Sequence, residues 1–356
     1  MKKTITILLT DVSHPVTSRA VEILKENQEF SITVIGVDST NSDTGSLWVD
    51  KLFNISKPES LNYAKELLNI CTKEKVNVIL PWTNSETLAI SKSASLFQSR
   101  NIKIVSNDYI LTNTLVDKGL LYQALKGLNI PIPKYQLVSN INDLEKAIDQ
   151  LGYPENKVVV KPRNLSGGRG LFVLSATSNL ELRDANRNIP KTALLEIVLA
   201  SKHQNNLDYI VMEYLEGEDY SVDTLSSKGK PLFIVQRTRI SDSGGISSIG
   251  ETVNDKKVRT VVENIIKYFK IDSNCNLQLK YKKGQVGFPY IYDINPRISG
   301  TIVANTYAGI DLLTLGIYQA LNIPFPKNHK KKYRHLKMVR YWSEKYQILS
   351  DKRYPA

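Results

Sequence analysis

The first hundred residues switch repeatedly between two periodicities, and this switching limits the possible folds more than any other feature. ITILL at 5–9, SITVIGVD at 31–38, VNVILPW at 76–82 and IKIVS at 102–106 are apolar runs of strand length. Between them, SRAVEILKEN at 18–27, LNYAKELLNICTKEK at 61–75 and SETLAISKSASLFQSR at 85–100 carry helical spacing. Strands separated by such helices require βαβ crossovers, so an α/β chain with a parallel sheet is expected. Ligands on these sheets sit at the carboxyl ends of strands, which marks loops 10–17 and 81–86 as candidate binding loops. The first of them has no G-x-G-x-x-G, so dinucleotide binding is unsupported, and Asp38 reads as a turn residue rather than a ribose ligand.

At 356 residues the chain is too long for one ordinary core, and two or three packed subdomains are expected. The opening MKKTITILLT has too short an apolar run for a signal sequence and reads as a buried strand. No run approaches the roughly 18 apolar residues of a membrane span. Cys71 and Cys275 stand in unlike contexts, which fits a cytoplasmic chain without a disulfide framework. His14, His203, His329 and His335 show no zinc spacing. Of the net charge of +12, residues 327–356 supply +8, from ten Lys/Arg against two acids, leaving +4 for the rest. No nucleic-acid motif accompanies this basic segment. It reads as solvated surface or as a lure for anionic substrates, and nucleic acid is not expected as a partner.

Beyond the first region a helix is expected over 112–130, with Thr112 or Asn113 as its cap, and PIPKY at 131–135 breaks the chain. Three segments then carry chemistry. VVVKPRNLSGGRGLFVL at 158–174 reads as a hairpin whose Gly167, Gly168 and Gly170 let backbone N–H groups approach an anion, flanked by Lys161 and Arg169. It is not a Walker A loop, which needs G-K-[ST] opening a helix. YIVMEYLEGEDYSVDTL at 209–225 offers Glu213 and the following backbone to an adenine edge and Asp219 to ribose hydroxyls. In YIYDINPRISGT at 290–301, Asp293 and Asn295 share a strand face and are hard oxygen donors of the kind Mg²⁺ takes. Arg297 follows with a fork suited to carboxylate or phosphate, and Gln278 lies mid-strand in NCNLQLKY. No Ser-His-Asp or Cys-His nucleophile arrangement is present in the sequence pattern.

DK-x₂-L at 117–121, KPRNLSGGRG at 161–170, EYLEGEDYSVD at 213–223, Gln278 and DINPR at 293–297 together resemble the ATP-grasp superfamily, in its carbamoyl phosphate synthetase and biotin carboxylase branch. Standalone carboxylate–amine ligases of that branch look most similar. The resemblance implies an ATP-grasp fold with an N-terminal Rossmann-like parallel-sheet, or pre-ATP-grasp, domain at 1–112. It implies a small subdomain at 113–200, a C-terminal subdomain with the metal site at 201–326, and a basic segment at 327–356. Lys118, Lys161 and Arg169 would neutralise ATP phosphates, with Ser166, Gly167 and Gly168 contributing to the nucleotide loop. Glu213, Tyr214 and Leu215 would frame adenine, with Asp219 at the ribose. Gln278, Asp293 and Asn295 would hold Mg²⁺, or Mn²⁺ in its place. Arg297, Lys161 and Arg169 would serve catalysis, and Arg237, Arg239, Arg297, Ser299 and Gly300 would meet the substrate. Asp293 departs from the usual Glu, and Gln278 stands where many relatives have Glu, although synthetase-like members use Gln.

The implied activity is ADP-forming amide synthesis from a small carboxylate and an amine through an acyl phosphate. The alternatives are a bicarbonate-using carboxylase or carbamoyl-phosphate-type enzyme and a non-catalytic ATP-binding protein. Dimers are common in the superfamily, so a homodimer is compatible with the resemblance. Loops 10–17, 81–86 and 241–250 would set specificity, the last as a mobile Gly/Ser-rich segment, with His14 and Trp82 as pocket candidates.

Overall fold

The computed structural model describes residues 2–14, 16–40, 42–164, 170–176, 188–200, 207–243, 246–327, 333–341 and 343–344. The strands β1 (Lys3–Leu9), β2 (Phe30–Asp38), β3 (Lys51–Asn54), β4 (Val78–Leu80) and β5 (Lys103–Ile104) form a parallel sheet in the order β3-β2-β1-β4-β5. Alternation along β1 sends Ile5, Ile7 and Leu9 to one apolar cluster and Leu8 to another, so both faces are covered. The first cluster includes residues of helices Thr17–Lys25, Ile302–Tyr307 and Leu312–Ala320; the second takes in Tyr63–Lys73, Asn84–Lys92 and Ala94–Gln98. The chain departs from β1 toward both edges, so the loops after β1 and β4 flank the topological switch point. Thr10 ties them together: its hydroxyl donates to Glu86 Oε2 at 2.7 Å and accepts the Trp82 N–H at 3.0 Å.

Two expected helices are broken. The segment 85–100 is divided at Ser93. The segment 112–130 holds Tyr109–Val116 and Lys118–Leu125, because Asp117 leaves helical geometry and accepts the Gly119 and Leu120 N–H groups on its own carboxylate. Asp108 caps the earlier helix, so Thr112 and Asn113 lie inside it rather than capping it.

A second sheet holds β6 (Tyr135–Val138), β7 (Val158–Pro162), β8 (Phe172–Leu174), β9 (Asn188–Ile189) and β10 (Tyr209–Glu213) in the order β6-β10-β7-β8-β9. β7 and β8 are antiparallel partners and form the arms of the glycine-rich hairpin. The third sheet contains β11 (Asp219–Ser227), β12 (Lys230–Thr238), β13 (Ser241–Ser243), β14 (Ile246–Val253), β15 (Asn274–Lys280), β16 (Tyr290–Asn295) and β17 (Lys337–Val339). Its main path runs β13-β14-β12-β11-β15-β16, and β17 adds to β14. The stretch expected as a loop at 241–250 is therefore largely the hairpin β13–β14, with Gly244 and Gly245 outside the described residues. β17 brings the basic C-terminal stretch back onto the third sheet, Val339 opposite Ile249. Among the described residues no helix is long and apolar enough to cross a membrane.

Candidate active site

A cleft of about 1030 Å³ is lined by residues of the second and third sheets and by the loops at the N-terminal switch point. Its floor is the pair β15–β16, in which Gln278 faces Asp293 and Asn276 faces Asn295 in register. Asp293 and Asn295 line the cleft together, as period-two alternation requires. Asn295 donates through Nδ2 to Asp293 Oδ2 at 3.1 Å, and its Oδ1 accepts from Asn84 Nδ2 at 2.9 Å. That last bond joins the loop region after β4 to the end of β16.

Two lysines converge here from separate elements. Lys118, at the start of its helix, places Nζ 3.6 Å from Asp293 Oδ1 and 3.3 Å from the carbonyl oxygen of Arg163. Lys161, on β7, donates to the carbonyl of Tyr292 at 3.3 Å. Burial pushes Lys161 down to about 7; Lys118 acts in the same direction and Asp293 opposes it. For Asp293, burial favours the neutral acid, but Lys118 and Lys161 outweigh it and hold the carboxyl below its ordinary range.

Pro296 ends β16, and the Arg297 N–H turns back onto the Asn295 carbonyl at 2.8 Å. Arg297 lines the cleft; its Nη1 donates to the Ile298 carbonyl at 2.7 Å, while its buried Nε has no partner among the described residues. Ser299 and Gly300 line the same wall. Among the described residues only Val16, at 3.8 Å, would meet a Cβ placed on Gly300, so the loop after β1 faces this turn across ordinary contact distance. Arg340, just beyond β17, donates to the Gly300 carbonyl. Burial lowers Arg340 to about 10, with Arg237 adding to the effect. His14 lines the cleft and is also lowered, by burial first and then by Arg340 and Arg297 against the pull of Asp38. Asp38 itself accepts the Ser13 and Thr40 N–H groups at 2.8 Å each and so shapes the turn.

At the other end lie Glu213, Tyr214 and Leu215. The Glu213 carboxylate is already engaged, accepting the Lys134 N–H at 2.9 Å and pairing with Lys282 at 2.7 Å. Lys157 and Lys280 stand over the Tyr214 ring at 5.3 and 4.9 Å. Between this end and the lysines, Tyr292 donates its hydroxyl to Asp219 at 2.9 Å and accepts from Arg239 at 2.8 Å, and Arg239 reaches Gln278 at 3.3 Å.

Arg237 is the exception among the described candidates. It is 2% exposed and absent from the cleft lining, held by Asp223 at 2.8 Å, by Asn305 and by Thr301. Among the described residues it touches the cleft lining through Thr301, and it does not itself line the cleft as expected. Ser166, Gly167, Gly168 and Arg169 lie outside the described residues. Sequence reasoning passed over Tyr292, Asn84, Arg163 and Arg340. The first three stand in or beside recognised motifs, whereas Arg340 had no local signal beyond the charge of its segment.

Among the described residues no group of three or more His, Cys, Asp or Glu side chains could hold a metal ion. The oxygens of Gln278, Asp293 and Asn295 are hard donors with one ionised carboxylate among them. They fit a Mg²⁺ ion shared with a polyphosphate rather than one held by protein alone.

Comparison with known proteins bears on the fold. Residues 205–344 match the family described as ATP-grasp in the biosynthetic pathway with Ter operon, and residues 7–105 match the PylC-like N-terminal domain. The carbamoyl phosphate synthase large chain of Clostridium acetobutylicum is 26% identical over 291 residues, covering 78% of this chain and 24% of that protein. The chain thus spans about a quarter of the length of this relative. The fold is similar to that of biotin carboxylase from Campylobacter jejuni, with a TM-score of 0.67 and 16% identity over 93% of this chain and 74% of the other. It is also similar to L-amino acid ligase from Bacillus licheniformis, with a TM-score of 0.62 and 17% identity over 90% and 74%.

Proposed function

We propose that this chain, an ATP-grasp protein by fold and family match, is an ADP-forming ligase that phosphorylates a small carboxylate and passes the acyl group to an amine. The observation that carries this reading is a convergence on one cleft wall. Lys118, Lys161, the ionised Asp293 and the Arg297 guanidinium, whose buried Nε has no partner among the described residues, meet there. An orphaned buried N–H is costly, and an anion is the partner that would satisfy it.

The chemical difficulty is that a carboxylate and a triphosphate repel each other. Lys118 and Lys161 offset that repulsion along the phosphates, and their rigid attachment means little reorganisation as charge develops. Mg²⁺, held by Asp293, Asn295 and Gln278, would add charge neutralisation at the transferring phosphate, a place Mn²⁺ could also take. Glu213, Tyr214 and Leu215 would frame the base, and Asp219 and Arg239 would flank the ribose and phosphates. In phosphoryl transfer a carboxylate oxygen bonds to the γ-phosphorus as the bond to the β-phosphate oxygen breaks, releasing ADP. The amine then attacks the acyl carbon, loses a proton, and phosphate departs. Arg297, with Ser299 and Gly300 beside it, would bind the acid and the oxyanion formed from it. The switch-point loops, with His14 and Trp82, would admit the amine.

Bicarbonate as the acid is the second reading, favoured by the synthase relative. Both readings are tested by Mg²⁺-dependent ADP release against pools of amino acids, other carboxylates and bicarbonate, each with and without amines. Asn295→Ala and Arg297→Ala are expected to lower turnover by roughly 10²-fold. ATP binding with no stimulation by any pool would exclude both readings and leave a nucleotide-binding protein.

A further inference from the structure

Arg163, next to the glycine-rich segment, is the most heavily engaged residue near Lys118. Its Nη2 donates to both Asp117 carboxylate oxygens at 2.9 Å, and its Nε donates to Oδ1 at 3.2 Å. Its Nη1 pairs with Asp208 at 3.0 Å, and its N–H donates to the Asp208 carbonyl at 2.9 Å. Its own carbonyl accepts twice from Lys118, from the backbone N–H at 3.2 Å and from Nζ at 3.3 Å. Asp117 is the N-cap of the helix that Lys118 opens. Gly119 completes the joint: a Cβ there would fall 2.7–2.8 Å from three guanidinium atoms of Arg163. Any Cβ at this point would displace the guanidinium that crosses the helix.

We propose that Arg163 is a positioning residue for Lys118. It locks the first turn of this helix to the root of the glycine-rich segment, so that Lys118 and Lys161 address one polyphosphate. This rests on the nucleotide reading above. Arg163 is absent from the cleft lining, and its guanidinium is spent on Asp117 and Asp208, so it acts through Lys118 rather than on the nucleotide.

The test compares ATP, in Mg²⁺, with adenosine as competitors for a fluorescent adenine nucleotide on the full chain. Arg163→Gln is expected to weaken ATP about ten-fold and adenosine less than about two-fold, because only the phosphates use Lys118. Gly119→Ala should act in the same direction by displacing the guanidinium. On a Lys118→Ala background Arg163→Gln should add nothing, since the two act as one unit. Equal losses for ATP and adenosine, or additive losses with Lys118→Ala, would each overturn the assignment. If Arg163→Gln does not fold, Arg163→Lys and Gly119→Ala give the same comparison. Wild-type protein that binds no ATP would overturn the nucleotide reading and this one with it. Normal wild-type binding with insensitive variants would overturn this one alone.

Discussion

Lys161 is buried beside Lys118 with Asp293 as its counter-charge, and burial brings it down to about 7. Its folded pKa lies below its unfolded one. Between about pH 7 and the ordinary lysine range near 10.4 the folded chain therefore binds fewer protons than the unfolded chain. The resulting penalty is complete below about pH 7 and is relieved as pH rises. A polyphosphate would supply opposite charge and raise the pKa, so ATP binding should take up protons near pH 8 and fewer near pH 6. Calorimetry in buffers of different ionisation enthalpy checks this, and absence of uptake near pH 8 would contradict it. The Asp223–Arg237 pair gives a second expectation at this scale. Both side chains are 2% exposed, so Asp223→Asn leaves a buried guanidinium uncompensated and should cost about 3–5 kcal/mol in urea unfolding. Asp293, Asn295 and Arg297 were legible in the sequence because they lie within five residues and local alternation relates them. Arg237 was misread because periodicity gives a face of a strand and not the depth at which a side chain is sealed.

Elements were read well where one period ran unbroken and poorly where a side chain interrupted it. β1, β2, β15 and β16 appear near their expected positions because their apolar runs are bounded by turns or helix starts. The helices around Ser93 and Asp117 did not, because capping is decided by individual side chains against backbone N–H groups. The hairpin β13–β14 was hidden by its glycine and serine content, which local propensity assigns to a loop although pairing with β12 and β17 overrides it. Close packing of elements is equally silent in sequence. Gly316 lies in the helix Leu312–Ala320, where a Cβ would fall 1.9 Å from Asn274 Oδ1 on β15. Gly316→Ala, normally favourable in a helix, is here expected to destabilise by about 1–3 kcal/mol. Unchanged denaturant stability would refute this contact.

At the scale of the molecule, two sheets and the switch-point loops of the first supply one cleft, and residues distant in sequence complete it. Asn84 bonds Asn295, and Arg340 reaches Gly300 only because β17 returns to β14. Such closures are set by tertiary contact and leave no local pattern, which is why a segment of apparent surface charge contributes a residue that holds the Gly300 carbonyl. Arg340→Ala is expected to raise the KM of the acid substrate several-fold while changing that of ATP little; equal changes in both would place Arg340 outside acid binding. On the proposed function, this cleft couples ATP cleavage to activation of a carboxylate. Mg²⁺-dependent ADP release measured across pools of carboxylates and amines, wild type beside Arg297→Ala, tests it most directly. Release that depends on one pool and is lost in the variant is the expected result. Release that no pool stimulates, or that survives Arg297→Ala unchanged, would contradict it.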